Sequence, residues 1–258
     1  FGYGWYEAHH IIATRYQVET QKAVEPLHLV QITDSHLGAT FDGEGFAQAI
    51  ERIQSENPDV VVITGDFVDD DSSREDMMRS CEALKTLETK YGVYFVFGNH
   101  DKGYYNNERR GYDADDLILE LEKNGVTVLQ DEKVLLGDSY ELIGRQDRSE
   151  EDFGRTRASM EELVSESNPE KYQIVLDHQP NDFENQEKTG VDLVLSGHTH
   201  GGQFFPINRL GEWFGLNDMT YGIRKNGNTT FEVSSGISDW AIKFKTGCKA
   251  EYVVIDIA

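Results

Sequence analysis

Five short, largely apolar runs punctuate the first two hundred residues: LHLVQIT (27–33), VVVIT (60–64), VYFVF (93–97), QIVL (173–176) and VDLVL (191–195). They are rich in β-branched and aromatic side chains and do not alternate cleanly with polar ones, which predicts strands covered on both faces. Between several of them the apolar spacing switches to the helical period. Phe46, Ala49, Ile50 and Ile53 form one stripe, Met77, Cys81 and Leu84 a second, and Leu117, Ile118 and Leu121 a third. Each stripe is one face of an amphipathic helix. Alternating strand and helix implies an α/β fold with a layered sheet. HHIIATRYQVE, near the amino terminus, alternates instead and predicts an edge strand.

The residues just beyond each run carry the chemistry. The first run ends in TDSH (Asp34, His36), the second in GD (Asp66), and the third in GNHD (Asn99, His100, Asp101). The fourth ends in DHQP (His178) and the fifth in GHTH (His198, His200). Open α/β sheets bind ligands beyond the carboxyl ends of their strands, so five strand ends aim oxygen and imidazole donors at one rim. Five of the eight histidines fall in these segments. A single histidine at a strand end is ordinarily a loop or core residue; five strand ends with the same chemistry predict a joint metal site. Carboxylate, amide and imidazole donors without thiolate suit manganese, iron, zinc or cobalt. A closed structural zinc site, which would use cysteine, is disfavoured. Gly65, Gly98 and Gly197 each precede a proposed ligand, where a chain turning sharply from sheet to site needs glycine.

Composition narrows the partners. The chain of 258 residues carries 47 acidic against 24 basic side chains, a formal charge of −23. Such a surface repels nucleic-acid backbones, so extended nucleic-acid binding is not expected. A small phosphorylated ligand needs only local positive charge. No stretch reaches the roughly 18 apolar residues of a membrane span. Two isolated cysteines, Cys81 and Cys248, exclude a disulfide scaffold. The chain starts at Phe1 rather than methionine, which reads as a processed or trimmed form; a preceding signal or anchor would not be visible.

In order, the DSH, GD, GNHD, lone His and GHTH blocks resemble the calcineurin-like metallophosphoesterases. With YGWYEAHHIIATRYQVE and GHTHGGQ, the chain is similar to a bacterial branch whose members often carry an amino-terminal membrane segment. The resemblance implies a four-layer α-β-β-α sandwich of two mixed sheets, spanning residues 1–258 as one domain, with 1–24 packing as an edge strand. Strands near 126–130, 139–143, 229–234 and 251–257 would fall mainly in the second sheet. It also implies two divalent ions, manganese first, with iron, zinc or cobalt as alternatives. Asp34, His36 and His200 would hold one, Asn99, His178 and His198 the other, and Asp66 would bridge both. His100 would act as general acid, oriented by Asp101. Ser35 and Asp177 depart from the usual pattern; an extra carboxylate at Asp177 would add negative charge beside the second ion.

The expected reaction is hydrolysis of a phosphodiester or pyrophosphate by in-line attack of a hydroxide bridging the ions. A phosphomonoesterase is the near alternative and a non-catalytic scaffold the distant one. The substrate would be a small phosphorylated molecule, lipid-linked or nucleotide, and the expected location is membrane-associated and extracytoplasmic, with the cytoplasm as the alternative. FFPINRLGEWFGLNDMTYG (204–222) reads either as an apolar wall beside the ions or as a loop covering a sheet. Lys102, Arg109 and Arg110 form a basic cluster after GNHD that would either meet a second phosphate or be solvated, and Arg145 and Arg148 are weaker versions of the same idea. His9, His10 and His28 read as structural.

Overall fold

The computed structural model describes residues 2–104, 110–240 and 242–258. In chain order the elements are α1 (Gly2–His9), β1 (Ile12–Val18), β2 (Leu27–Ile32), α2 (Gly43–Gln54), β3 (Val60–Thr64), α3 (Arg74–Leu84) and β4 (Val93–Val96). Next come α4 (Ala114–Lys123), β5 (Val126–Val128), β6 (Glu132–Leu136), β7 (Tyr140–Gly144), α5 (Ser149–Asp152), α6 (Met160–Val164), β8 (Tyr172–Leu176) and α7 (Phe183–Thr189). The last are β9 (Leu193–Ser196), α8 (Leu210–Trp213), β10 (Gly222–Asn226), β11 (Thr229–Val233) and β12 (Glu251–Ile257).

Two six-stranded mixed sheets result, ordered β1-β12-β2-β3-β4-β5 and β10-β11-β9-β8-β7-β6. Side-chain alternation sorts each strand into two layers. Leu29, Val60, Val62 and Val253 of the first sheet meet Leu142, Ile174, Leu193 and Leu195 of the second between the sheets. Val30, Ile32, Val61 and Ile63 point the other way, against the three predicted helical stripes on α2, α3 and α4. Ile143, Val175, Val194 and Phe231 pack outward against Met160, Leu163 and Phe183 of α6 and α7. This is the expected sandwich of two mixed sheets flanked by helices. Helix starts are fixed locally: Asp42 accepts from Gly45 N at 2.9 Å and Ser73 from Asp76 N at 3.0 Å, each satisfying an otherwise orphan amide.

Three expectations change here. β5 and β12 belong to the first sheet, not the second, because β5 pairs with β4 and β12 with β2 and β1. The amino-terminal edge strand is present, but it begins only at Ile12. Residues 2–9 form a helix, and the rings of His9 at its end and His10 just beyond stack on Trp5 and Tyr6 and bond their carbonyls. Membrane association is corrected as well: among the described residues no helix is long and apolar enough to cross a membrane.

One end of the inter-sheet layer is polar. Gln31 donates to Thr64 Oγ1 and to the Ser196 carbonyl, both at 2.9 Å. Glu251 accepts from Ser235 N and Oγ and from Tyr221. Glu232, 1% exposed, has neither carboxylate oxygen hydrogen-bonded. Burial first, and then the Glu251 charge, hold its pKa well above the usual carboxylate range. The protonated form is therefore favoured in the fold, and Glu232 withdraws stability as pH rises above the unfolded value of about 4.3. Glu232→Gln should raise the neutral-pH melting temperature by several degrees, each kcal/mol relieved being worth about 2–4 °C. It should also flatten the fall in stability between acidic and neutral pH. An unchanged melting profile across pH would contradict this assignment.

Candidate metal centre

The strand pairing of each sheet continues past its last regular residue into the loops that carry the chemistry. Asp34 N donates to Gly65 O and His36 N to Asp66 O, both at 3.0 Å, while Gly197 N donates to His178 O at 2.9 Å. Side chains join the two sheets. His198 N donates to both oxygens of Asp34 at 3.0–3.1 Å, and His178 Nδ1 donates to the Thr64 carbonyl at 2.7 Å. Gly98 and Gly197 are required by close approach. A Cβ on Gly98 would lie 2.2 Å from Asp66 Oδ1, and one on Gly197 would lie 2.3 Å from Asp34 Oδ2.

The backbone is strained where the donors sit. Asp34 (φ 53), His36 (φ 37), Asp66 (φ 50), His198 (φ 69) and His200 (φ 49) all lie in the left-handed region. Side chains rarely adopt it, and such outliers persist where surrounding contacts over-determine them, often at functional sites.

The structure places the seven residues expected to hold ions in two adjoining groups. Ligand atoms of Asp34, His36 and His200 lie within 4.8 Å of one another, as do those of Asp66, His178 and His198. Asn99 Oδ1 is 2.8 Å from His198 Nδ1, and Asp66 Oδ2 lies 3.1 Å from His178 Nε2 and 3.6 Å from His36 Nε2. Asp66 thus stands between the groups.

These donors fit cations. His36 Nδ1 faces Asp69 Oδ2 at 3.1 Å, which leaves its Nε2 lone pair turned toward His200 Nε2, also 3.1 Å away. Two imidazole nitrogens face each other there, with Asp34 Oδ1 3.4 Å from the second. His178 Nδ1 is committed to the Thr64 carbonyl, which turns its buried Nε2 toward Asp66 Oδ2, 3.1 Å away. An outer partner on one ring nitrogen with the other aimed at carboxylates is how metal-ligating histidines are held. Electrostatics agree. Burial opposes ionisation of Asp66, yet the His178, His36 and His100 imidazoles outweigh it and hold the carboxyl well below its usual range. Burial pushes His200 down to about 3, so its ring is a neutral donor.

His100 and Asp101 have different roles. Burial disfavours a charged His100, but Asp69 at 3.1 Å and the charges of Asp66 and Asp70 win, and its pKa rises to about 9. The expectation that Asp101 orients His100 is corrected: Asp69 faces His100 Nδ1. Asp101, 0% exposed, accepts from Gly98 N (2.7 Å), Asp66 N (2.9 Å) and Val68 N (3.0 Å). Asp101→Ala should strand three buried amides and cost about 3 kcal/mol or more, a melting shift of roughly 6–12 °C. A shift within a degree of wild type would refute that role. Asp69, touching both His36 and His100, was missed in the sequence; its only signal was a carboxylate three residues past Asp66 within VDDD.

Other expected site residues lie elsewhere. Asp177 is pinned by Arg145, Arg157 and Gln186 and its charge is paired by the two arginines. Arg148 is exposed. Lys102 pairs with Glu150 and Gln146, and Arg110 donates to the carbonyls of His100 and Asp101. Arg109 lies outside the described residues. Trp213 and Phe214 are 70% and 75% exposed and do not line the site cavity. That cavity, about 660 Å³, opens over His36, Asp66, Asn99, His100, His198 and His200.

A two-sheet sandwich whose strand ends gather carboxylate, amide and imidazole donors at one rim is the architecture of a metal-binding α/β domain. The calcineurin-like phosphoesterase family model matches residues 27–202. The chain belongs to that family, which is dimetal-dependent. It is 29% identical over 245 residues to an uncharacterized metallophosphoesterase of Campylobacter jejuni (93% of this chain, 61% of the relative). It is 31% identical over 230 residues to one of Helicobacter pylori (87% and 58%). The chain therefore spans about three fifths of these curated relatives. A dimetal phosphatase structure from Danio rerio superposes with a TM-score of 0.52 at 10% identity, covering 82% of this chain and 88% of that one; it supports the fold.

Proposed function

We propose that the protein hydrolyses phosphodiesters of small molecules, with Asp34, His36 and His200 holding one divalent cation, Asn99, His178 and His198 the other, and Asp66 shared. When bound, two such ions lower the pKa of a water nucleophile and neutralise charge on the phosphoryl oxygens. The residues of the chain do the rest. Asp66, flanked by both donor groups, fixes their spacing. His100 holds a proton at the cavity wall, with its Nδ1 braced by Asp69. It delivers that proton to the departing alkoxide oxygen as the bond to phosphorus breaks, leaving an alcohol and a phosphomonoester.

The observation that carries the preference for a diester is the charge of the wall. Among the described residues lining the cavity there is no lysine or arginine, while Asp66 and Asp70 are present. A diester brings one negative charge and a monoester or diphosphate more, and beyond His100 the wall offers no lysine or arginine to receive the excess. The test is elemental analysis of purified protein, with rates on bis(p-nitrophenyl) phosphate and p-nitrophenyl phosphate across added manganese, iron, zinc and cobalt. Two metal equivalents and a faster diester rate are expected. Faster monoester hydrolysis would favour the alternative, and metal-free, inactive protein would sink the proposal.

A further inference from the structure

Two aromatic side chains stand in the same wall as the proposed acid. Trp240 and Phe204 line the cavity beside His100, with the Trp240 and His100 ring centroids 6.4 Å apart. Both are held from behind. Asp239, just before Trp240, is buried, pairs with buried Lys245 at 3.3 Å, and donates its amide to Thr40 Oγ1. Gln203, just before Phe204, donates to the Ile242 carbonyl at 2.8 Å and accepts from Thr246 N at 2.9 Å. The Phe204 ring lies near-parallel to Phe244, 6.5 Å away between centroids. Trp240 is nevertheless 49% exposed. An indole left half open at a cavity wall, on a backbone anchored at the preceding residue, offers a stacking surface to a flat partner.

We propose that Trp240, supported by Phe204, is a specificity-determining residue that stacks a planar aromatic or heteroaromatic arm of the substrate on the leaving-group side of the phosphorus. The side is set by position, because Trp240 adjoins His100, which protonates the leaving oxygen. The class is set by charge and shape together: a monoanionic phosphoryl group carrying an uncharged, flat substituent. This rests on the phosphodiesterase reading and extends it to the substrate's arm. Each base or aryl ring offers the same π-face to such a platform, so nucleoside and simple aryl esters share the chemistry.

Calorimetric titration of the manganese-loaded protein tests it without turnover. The ligands are the methyl half-esters of benzylphosphonic, cyclohexylmethylphosphonic and methylphosphonic acids, which share head group and charge. The benzyl compound should bind about tenfold more tightly than the methyl one, with the cyclohexyl compound between. In Trp240→Ala that advantage should vanish while the methyl compound binds as before; Trp240→Phe should keep most of it. Equal binding of all three by wild type, or a benzyl preference that survives in Trp240→Ala, overturns the proposal. Should Trp240→Ala fail to fold, Trp240→Leu decides by the same ratio. Hydrolysis of bis(p-nitrophenyl) phosphate without a ring preference defeats this inference alone. Absence of hydrolysis under every metal defeats the phosphodiesterase reading, and this inference with it.

Discussion

Asp66→Ala should yield protein that binds neither cation and has no measurable phosphoesterase activity. Removing a group that merely braces a ligand typically costs about 10–100-fold in metal affinity; Asp66 stands between both donor groups, so its loss should exceed that range at both positions. Its Oδ2 lies 3.1 Å from His178 and 3.6 Å from His36, and its Oδ1 accepts the His100 amide at 2.9 Å. Metal content after dialysis against a trace of manganese is the decisive measurement. Retention of one full equivalent would show that the carboxylate serves a single ion. Asp66→Asn separates charge from shape, and is expected to keep the amide contact while still losing metal.

The second large effect concerns His100. His100→Ala should reduce kcat about 10²–10⁴-fold on diesters with poor leaving alcohols. On p-nitrophenyl esters, whose leaving group needs little protonation, the loss should be slight. Bound metal should be unchanged, since His100 is outside both donor groups built on Asp66 and Asp34. A loss of equal size on good and poor leaving groups would mean that His100 only orders the cavity. Asp69→Asn should reproduce part of the deficit on poor leaving groups, but with weakened metal binding, because Asp69 also braces His36.

The contrast between Asp66 and Asp69 shows what was readable in the chain. Asp34, Asp66, His178 and His198 announce themselves because each ends an apolar run, and strand pairing then carries those ends to one rim. The helical stripes on α2, α3 and α4 were equally plain, since period alone reports a buried face. Asp69 was not: in VDDD it looks like solvated charge, and only the turn after Asp66 brings it to His36 and His100. Asp101 misled for the opposite reason, since adjacency to His100 in sequence is not adjacency of side chains; its carboxylate turns to three amides instead. Sheet membership of β12 was hidden because its partner is remote: Glu251–Ile257 pairs with β2, more than two hundred residues earlier, whereas β5 simply adds beside β4, the strand before it. Trp240 gave only the weak signal of a lone indole in a loop, whereas Trp213 and Phe214, within a conspicuously aromatic segment, face outward.

The glycines at 98 and 197 carry a mechanical consequence. Each lets the main chain of one turn rest directly on a carboxylate presented by another, Gly98 on Asp66 and Gly197 on Asp34. Opening either turn of such a pair would strip a carboxylate of the backbone packed against it. The turns at 66 and 98 should therefore open together, and likewise those at 34 and 197, which hydrogen exchange would read as shared protection within each pair.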